Sequence, residues 1–178
     1  MAYLITCSGS KQCPIAGPSS LQNLSFPELN IQREEIIRLS EIQLDWERTL
    51  PAWELYSGNY SKLYPKVLSI NWLKPCAEIK ILSALFGWIK HTDRIPYYNL
   101  QMTDRIGANQ QRVWIFWYNF YVLQNYVGDT DIDLLSIGYR KAINKTGIPV
   151  ANVPSVNFTD RGGQKGKWLN NELSLLDC

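Results

Sequence analysis

The sequence holds a single histidine, His91, and only four cysteines, Cys7, Cys13, Cys76 and Cys178, with no CxxC pair among them. That set lacks the clustered Cys and His spacing of a zinc site, so no metal is assigned, and it lacks the dense cysteine framework of small secreted domains. All four cysteines are therefore expected to be free thiols in a reducing compartment. Excess charge is missing as well: 18 Lys and Arg against 16 Asp and Glu leave a net charge of +2. There is thus no global field to draw nucleic acid, and any such binding depends on a local basic patch. No apolar run approaches the ~18 residues needed to span a bilayer. The N-terminus lacks the charged n-region, long apolar stretch and small-residue cleavage site of a secretory signal. The expectation is a soluble cytoplasmic protein without a membrane partner.

What is present is a chain of 178 residues, 46% hydrophobic, with seven Trp and ten Tyr. That length supports one domain with a sizeable core, and no internal repeat or linker divides it, so residues 1–178 read as a single domain. The aromatics either fill that core or stack on flat ligands such as nucleobases.

The chain is organised around residues 79–104. Ile79 to Leu85 is a short apolar run between turn residues and reads as a buried strand. Phe86-Gly87 ends it, and one polar, aromatic, Pro-stiffened connection then carries Asp93, Pro96-Tyr97-Tyr98-Asn99 and Asp104. A buried strand that delivers such a loop is how α/β proteins build sites, although an ordinary strand and surface loop read the same way locally.

Upstream, Ala2 to Cys7 reads as a buried first strand, followed by Ser8-Gly9-Ser10-Lys11. Small residues after a strand let backbone N–H groups converge, two hydroxyls donate, and a lysine adds charge, which together can cradle a phosphate. The P-loop spacing GxxxxGK[ST] is absent. Residues 12–28 are an irregular connection. Ile36, Leu39, Ile42 and Trp46 recur at helical spacing and predict a helix from Asn30 to Arg48, ended by Pro51. Tyr56, Ser57 and Gly58 form a polar turn, either a plain connection or a second pocket wall, before a helix over Tyr60–Leu73. Asn109–Val127 predicts a helix that is apolar nearly all round and belongs to the core. Asp133 to Gly138, with Ser136, reads as another buried strand ending in a turn, and Tyr139-Arg140-Lys141 opens a short helical segment. Residues 150–153 suggest a last strand. The basic stretch Arg161–Lys167 reads as a flexible tail, either solvated or touching phosphate. Cys7, at a strand end near Lys11, is read as a buried structural thiol, with nucleophilic or peroxide-sensing chemistry as the alternatives.

Five of these segments, in order, resemble the YaaA family of peroxide-stress proteins. Leu4 to Lys11 resembles that family's first strand and its Ser-Pro-Ala/Ser-Lys loop, and Tyr56 to Tyr60 resembles its Val-Tyr-x-Gly-Leu region. Leu82-Ser83-Ala84-Leu85-Phe86-Gly87, with Asp93, Ile95, Pro96, Tyr97, Leu100, Gln101 and Met102, resembles Leu-Ser-Gly-Leu-Tyr-Gly followed by an Asp and Pro-Tyr-Arg-Leu-Glu-Met. Trp114 to Trp117 resembles an aromatic pair at a helix start, and Leu134 to Tyr139 resembles Leu-Ala-Ser-x-Glu-Tyr. The chain departs where Gln101 and Gly138 replace Glu and where Tyr98-Asn99 stands beside the position of an Arg.

The resemblance implies an α/β fold, one domain with a central, mostly buried mixed sheet and surrounding helices. It also implies DNA binding and a part in the peroxide stress response, with no defined catalytic mechanism and no cofactor. Its basic cleft directs attention to Lys11, Arg94, Arg105, Arg140 and the tail lysines Lys165 and Lys167, with Tyr97 or Trp88 to stack on a base. The expected partner is nucleic acid or a nucleotide-like small molecule, bound by Ser8, Ser10, Lys11, Tyr56, Ser57, Ser83, Gly87, Pro96, Tyr97, Ser136, Tyr139 and Arg140. The alternative is an enzyme acting on a nucleobase, nucleoside or nucleotide by glycosidic-bond or phosphoribosyl chemistry. It would hold phosphate at Ser8–Lys11, with Asp93 or Asp104 as acid or base and Lys11 assisting. A pure interaction scaffold is the third reading, and it lacks a reason for polar strand-to-loop junctions.

Overall fold

A computed structural model of the chain describes residues 1–156, 158–159 and 162–178. The first half contains β1 (Tyr3–Thr6), α1 (Asn30–Ser40), β2 (Thr49–Pro51), α2 (Ala52–Leu55), α3 (Ser69–Trp72), β3 (Ile79–Ser83) and β4 (Gly87–Lys90). The second half adds β5 (Arg94–Pro96), β6 (Arg105–Ile106), β7 (Gln111–Arg112), α4 (Val113–Phe120), β8 (Ile132–Asp133), α5 (Ile137–Asn144) and α6 (Gly163–Ser174). The fold is α/β with a mixed sheet ordered β4-β3-β1-β8.

β1 and the Ile79, Ile81 and Leu82 positions of β3 are buried because helices and loops cover both faces of these strands, which pair in parallel at the centre of the sheet. Lys80, the charged residue of β3, is paired with Asp131 at 3.0 Å. Ile5 lies beside Ile81 and Thr6 beside Leu82, while β8 flanks β1 in parallel from the other side. Three parallel strands place their C-terminal ends on one edge, so Cys7, Ala84 and Leu134 all leave the sheet there. That edge is where the site forms. β4 closes the other flank as an antiparallel hairpin, with Ser83 opposite Gly87.

The core is dominated by indoles. Trp72, Trp88 and Trp117 are fully buried. Trp88 Nε1–H donates to the Leu123 carbonyl at 2.9 Å and Trp117 Nε1–H to that of Ala84 at 2.8 Å, so both polar handles are satisfied. Trp72 stacks between Trp53 and Tyr64, with ring centroids at 6.0 and 5.6 Å. The tryptophans therefore fill the interior, and Trp88 cannot reach a ligand base.

Several expectations are corrected. The first helix stops at Ser40 because Glu41 turns into the left-handed region at φ 56°. Ile42 and Trp46 still pack inward, but from an extended loop, where Trp46 meets Phe86 at 6.0 Å. Residues 60–73 hold a 3-10 turn at Tyr64–Lys66 and the four-residue α3 in place of one helix, as Pro65 forbids a continuous ladder. The stretch after Phe86 is a hairpin and not a single loop. α4 covers only Val113–Phe120, ended by a left-handed Tyr121, and Phe120 and Tyr121 are exposed, so it is not buried all round. The strand expected over 133–138 is the two-residue β8, and 150–153 contributes a single bridge, Ile132 to Asn152.

The basic tail is an ordered helix: Leu169 and Leu173 of α6 are fully buried, one turn apart. Arg161, which opened that stretch in the sequence reading, lies outside the described residues. The cysteine expectation also fails for one pair: Cys76 and Cys178 form a disulfide with Cα atoms 5.9 Å apart, leaving Cys7 and Cys13 free. Among the described residues no helix is long and apolar enough to cross a membrane.

Candidate functional site

The segment leaving β1, Cys7 to Gln12, is held against the turn that follows α2. Gln12 N–H donates to the Leu55 carbonyl at 2.7 Å, and Gln12 Nε2 to Ser57 Oγ at 2.8 Å. Tyr60 N–H donates to Ser10 Oγ at 3.0 Å, and Ser10 N–H to Ser8 Oγ at 3.1 Å. The loop's serines thus hold its own shape. Among the described residues, the backbone N–H groups of Ser8, Gly9 and Lys11 have no acceptor. Unpaired amides in a loop after a strand are donors that an anion can take up.

Gly58 makes this approach possible. A Cβ there would lie 2.7 Å from both Lys11 N and Ser10 Oγ and 2.8 Å from the Lys11 carbonyl carbon. Backbone cannot yield as a side-chain tip can, so Gly58→Ala pushes the loop off its seat, at an expected cost of about 1–3 kcal/mol. Denaturant titration checks the loss, and a stability equal to the parent would show that the contact is loose.

Beneath the loop lies a buried layer of phenols. Tyr56 Oη and Tyr98 Oη are 2.7 Å apart, and Tyr98 Oη lies 2.9 Å from Ser83 Oγ. Tyr64 Oη donates to the Thr6 carbonyl at 2.7 Å, and Cys7 Sγ is 2.9 Å from Tyr139 Oη. Burial pushes the pKa of Tyr56, Tyr64, Tyr98 and Tyr139 well above the usual phenol value, so all four are neutral at physiological pH.

Lys11 rests on this layer, its Nζ 4.3 Å from the Tyr98 ring centroid and 5.8 Å from that of Tyr56. Desolvation lowers its pKa, while Cys7 and Asp104 act in the opposite direction. Among the described residues it forms no ion pair. A half-buried ammonium on aromatic faces, with no carboxylate bound to it, retains most of its capacity for an incoming anion.

Two hollows open on either side of the loop and share Gly9 and Tyr60. One, of about 240 Å³, includes Cys7, Ser8, Ser61, Ser136 and Lys165 in its wall. The other, of about 610 Å³, includes Ser10, Lys11, Asn59 and Tyr97. Ser136 is the exposed residue that precedes α5, and Lys165 from α6 donates to the Leu134 and Leu135 carbonyls at 2.8 and 3.2 Å. Burial and the neighbouring Arg140 both lower the Lys165 pKa.

The structure thus gathers Ser8, Ser10, Lys11, Tyr56, Ser57, Ser83, Tyr97, Ser136, Tyr139 and Lys165 around one sheet edge. Other residues named from the sequence lie elsewhere or are engaged. Asp93 accepts from Ser25 N–H, Ser25 Oγ and Lys90 N–H at 2.8–3.0 Å, closing the β4–β5 turn, and lines neither hollow. Asp104 accepts from Gln101 N–H at 2.8 Å and reaches Lys11 only through its field. Gly87, at φ 63°, makes the β3–β4 turn against Trp117, and Pro96 pairs with Thr49 across β2 and β5. Arg140 is bound to the buried Asp133 at 2.9 Å. Arg94 donates to the Thr49 carbonyl and Arg105 to that of Gln110. Lys167 is exposed on α6.

Tyr98 and Tyr64 are the residues that sequence reasoning passed over. Tyr98 had a signal: Pro96, Tyr98, Leu100 and Met102 are buried while Tyr97, Asn99 and Gln101 are exposed, a period of two along an extended segment. Tyr64, beside Pro65 in a 3-10 turn, had none.

A family model described as peroxide stress protein YaaA matches residues 12–170. The matched range begins directly after Lys11 and takes in Gly58, Tyr60, Tyr97, Ser136 and Lys165. Among curated proteins none matches the chain.

Proposed function

The chain belongs to the peroxide stress protein YaaA family, and on that premise we propose that it binds the phosphate of a nucleotide or nucleic acid at the Ser8–Lys11 loop. The observation that carries this reading is Lys11. A cation costs free energy to desolvate, and a protein that holds one half-buried over aromatic rings without a paired carboxylate leaves that charge for a ligand. Free backbone amides at Ser8 and Gly9 supply hydrogen bonds suited to phosphate oxygens, and the hydroxyls of the walls add further donors. The small net charge of +2 fits a local site better than a long electrostatic track along a duplex.

The test is a thermal-shift titration with ribose 5-phosphate and with inorganic phosphate, each against chloride at matched ionic strength. A ligand bound by the native state raises the melting temperature by mass action. The expected result is a saturable rise that Lys11→Met abolishes. The rise also fades with increasing pH, because burial holds the Lys11 pKa below the ordinary lysine value of 10.5, and above the shifted value the ammonium is gone. An equal rise in Lys11→Met would place the phosphate elsewhere and defeat the reading.

A further inference from the structure

Ten tyrosines occur in the chain, and most have an evident structural task. Two do not. Tyr60 is 89% exposed and Tyr97 49% exposed. Among the described residues neither hydroxyl makes a hydrogen bond and neither ring meets another aromatic, in contrast to the engaged phenols of Tyr56, Tyr64 and Tyr98. Both line the same hollow of about 610 Å³, and Lys11 lines it with them.

Neither ring is exposed through a loose backbone. Tyr60 N–H is tied to Ser10 Oγ, and Ser61 N–H closes the turn onto the Gly58 carbonyl at 2.8 Å. Tyr97 stands between Pro96 and Tyr98, both buried, and the period of two along this segment turns its ring outward. Two anchored, unpartnered aromatic faces beside an unpaired ammonium are complementary to a ligand that joins a flat ring to an anion. The hollow lies within the ~300–1,000 Å³ of small-molecule sites.

We propose that this hollow is a base subsite, in which Tyr60 and Tyr97 contact the faces of the base of a free nucleoside monophosphate while its phosphate meets Lys11 and the free Gly9 amide, which line the same hollow. The proposal rests on the phosphate reading above and narrows it. A base inside a duplex has both faces covered by its neighbours, whereas an unpaired base offers them to tyrosine rings. A base of duplex DNA is therefore excluded from the aromatic part of the site, and a hollow of about 610 Å³ matches a single free mononucleotide.

The test is calorimetric titration of the full chain with AMP, ribose 5-phosphate, adenosine and a short DNA duplex, repeated with Tyr60→Leu, Tyr97→Leu and Tyr97→Phe. Base stacking on an aromatic side chain sets the scale: AMP binds about tenfold or more tighter than ribose 5-phosphate. Each leucine variant removes a large part of that ratio, the phenylalanine variant keeps it, and ribose 5-phosphate binds all forms alike. The rings are solvent-exposed, so the variants should melt with the parent, which separates lost binding from lost folding. Equal affinity for AMP and ribose 5-phosphate, unchanged in the leucine variants, overturns the base subsite and leaves the phosphate reading standing. Adenosine binding that depends on both tyrosines, with no binding of ribose 5-phosphate, supports the base subsite and defeats the phosphate reading. Displacement of AMP by the duplex at equal phosphate concentration overturns the choice of a mononucleotide.

Discussion

Replacing Arg33 by methionine lowers the stability of the fold by about 3–5 kcal/mol, the range seen when one member of a buried charged network is removed. Arg33 is fully buried in α1. Its guanidinium donates to the carbonyls of Phe86 at 2.9 Å, Trp88 at 2.8 Å and Ser25 at 2.7 Å, and to Asn30 Oδ1 at 2.8 Å. Burial draws its pKa down to about 10, with the field of Asp93 opposing, so it stays charged at neutral pH. Methionine fills much of the same space but leaves the Phe86 and Trp88 carbonyls buried and unpaired, each costing about 1–3 kcal/mol. It also strips Asp93 of the cation beside it. These carbonyls frame the β3–β4 turn, so the same change loosens the hairpin that follows Ser83. Urea denaturation should show a lower midpoint with an unchanged slope. Arg33→Lys should retain charge while losing the planar fork, and so fall between the two. A loss below about 1 kcal/mol for Arg33→Met would contradict this view of α1, since that is the worth of one ordinary hydrogen bond.

Reduction of the Cys76–Cys178 bridge is the second large effect. The sequence separation is 102 residues. Cross-linking a loop of about 100 residues stabilises by about 4.7 kcal/mol in the chain-entropy model. For a domain of this size that corresponds to a fall in melting temperature on the order of 10 °C. The bridge fastens the end of α6, which Lys74 Nζ also holds through the Ser174 and Leu176 carbonyls at 3.0 and 2.8 Å. A reductant should therefore lower the melting temperature of the parent and leave Cys76→Ser unchanged. Unfolded but unreduced protein should expose two thiols to a thiol reagent, Cys7 and Cys13. Four reactive thiols would show that the bridge is not formed. Such a bond is typical of oxidising compartments, and its measurement bears directly on the compartment expected from cysteine usage.

The sheet was legible because β1 is apolar through Ile5 and β3 is apolar apart from Lys80 and its terminal Ser83, and a strand buried on both faces needs no alternation. The parallel pairing of β1 with β3 and with β8 placed the Ser8–Lys11 and Ser136 segments at one edge, as the strand-to-loop pattern suggested. The helices were less legible. Ile42 and Trp46 continue the helical period of α1 past its end because both pack inward from a loop, and no residue type at Glu41 announces the left-handed turn. α6 was hidden by Gly163 and Gly166, which read as flexibility. Gly166 is there because a Cβ would collide with the Leu63 carbonyl, so the glycine marks close packing of α6 on the 60s segment. The disulfide joins residues too far apart for sequence spacing to pair them. Within the site, the serines and Lys11 followed from local chemistry. Of the phenol layer beneath, Tyr56 and Tyr139 were named as site residues but Tyr64 and Tyr98 were not, because the four rings come together only through tertiary packing. Asp93 illustrates the reverse: a carboxylate in a promising loop whose oxygens are taken by the backbone of its own turn and by Ser25.

The most direct test of the anion site is a phosphate titration followed through the backbone amide resonances of the protein, with chloride holding ionic strength constant. Free N–H groups that receive a phosphate oxygen shift strongly and saturate together. The expected result is a single saturable set of shifts at Ser8, Gly9 and Lys11, absent in Lys11→Met. Weak, unsaturating shifts scattered over surface lysines, or shifts that persist in Lys11→Met, would contradict the assignment of this loop as the phosphate site.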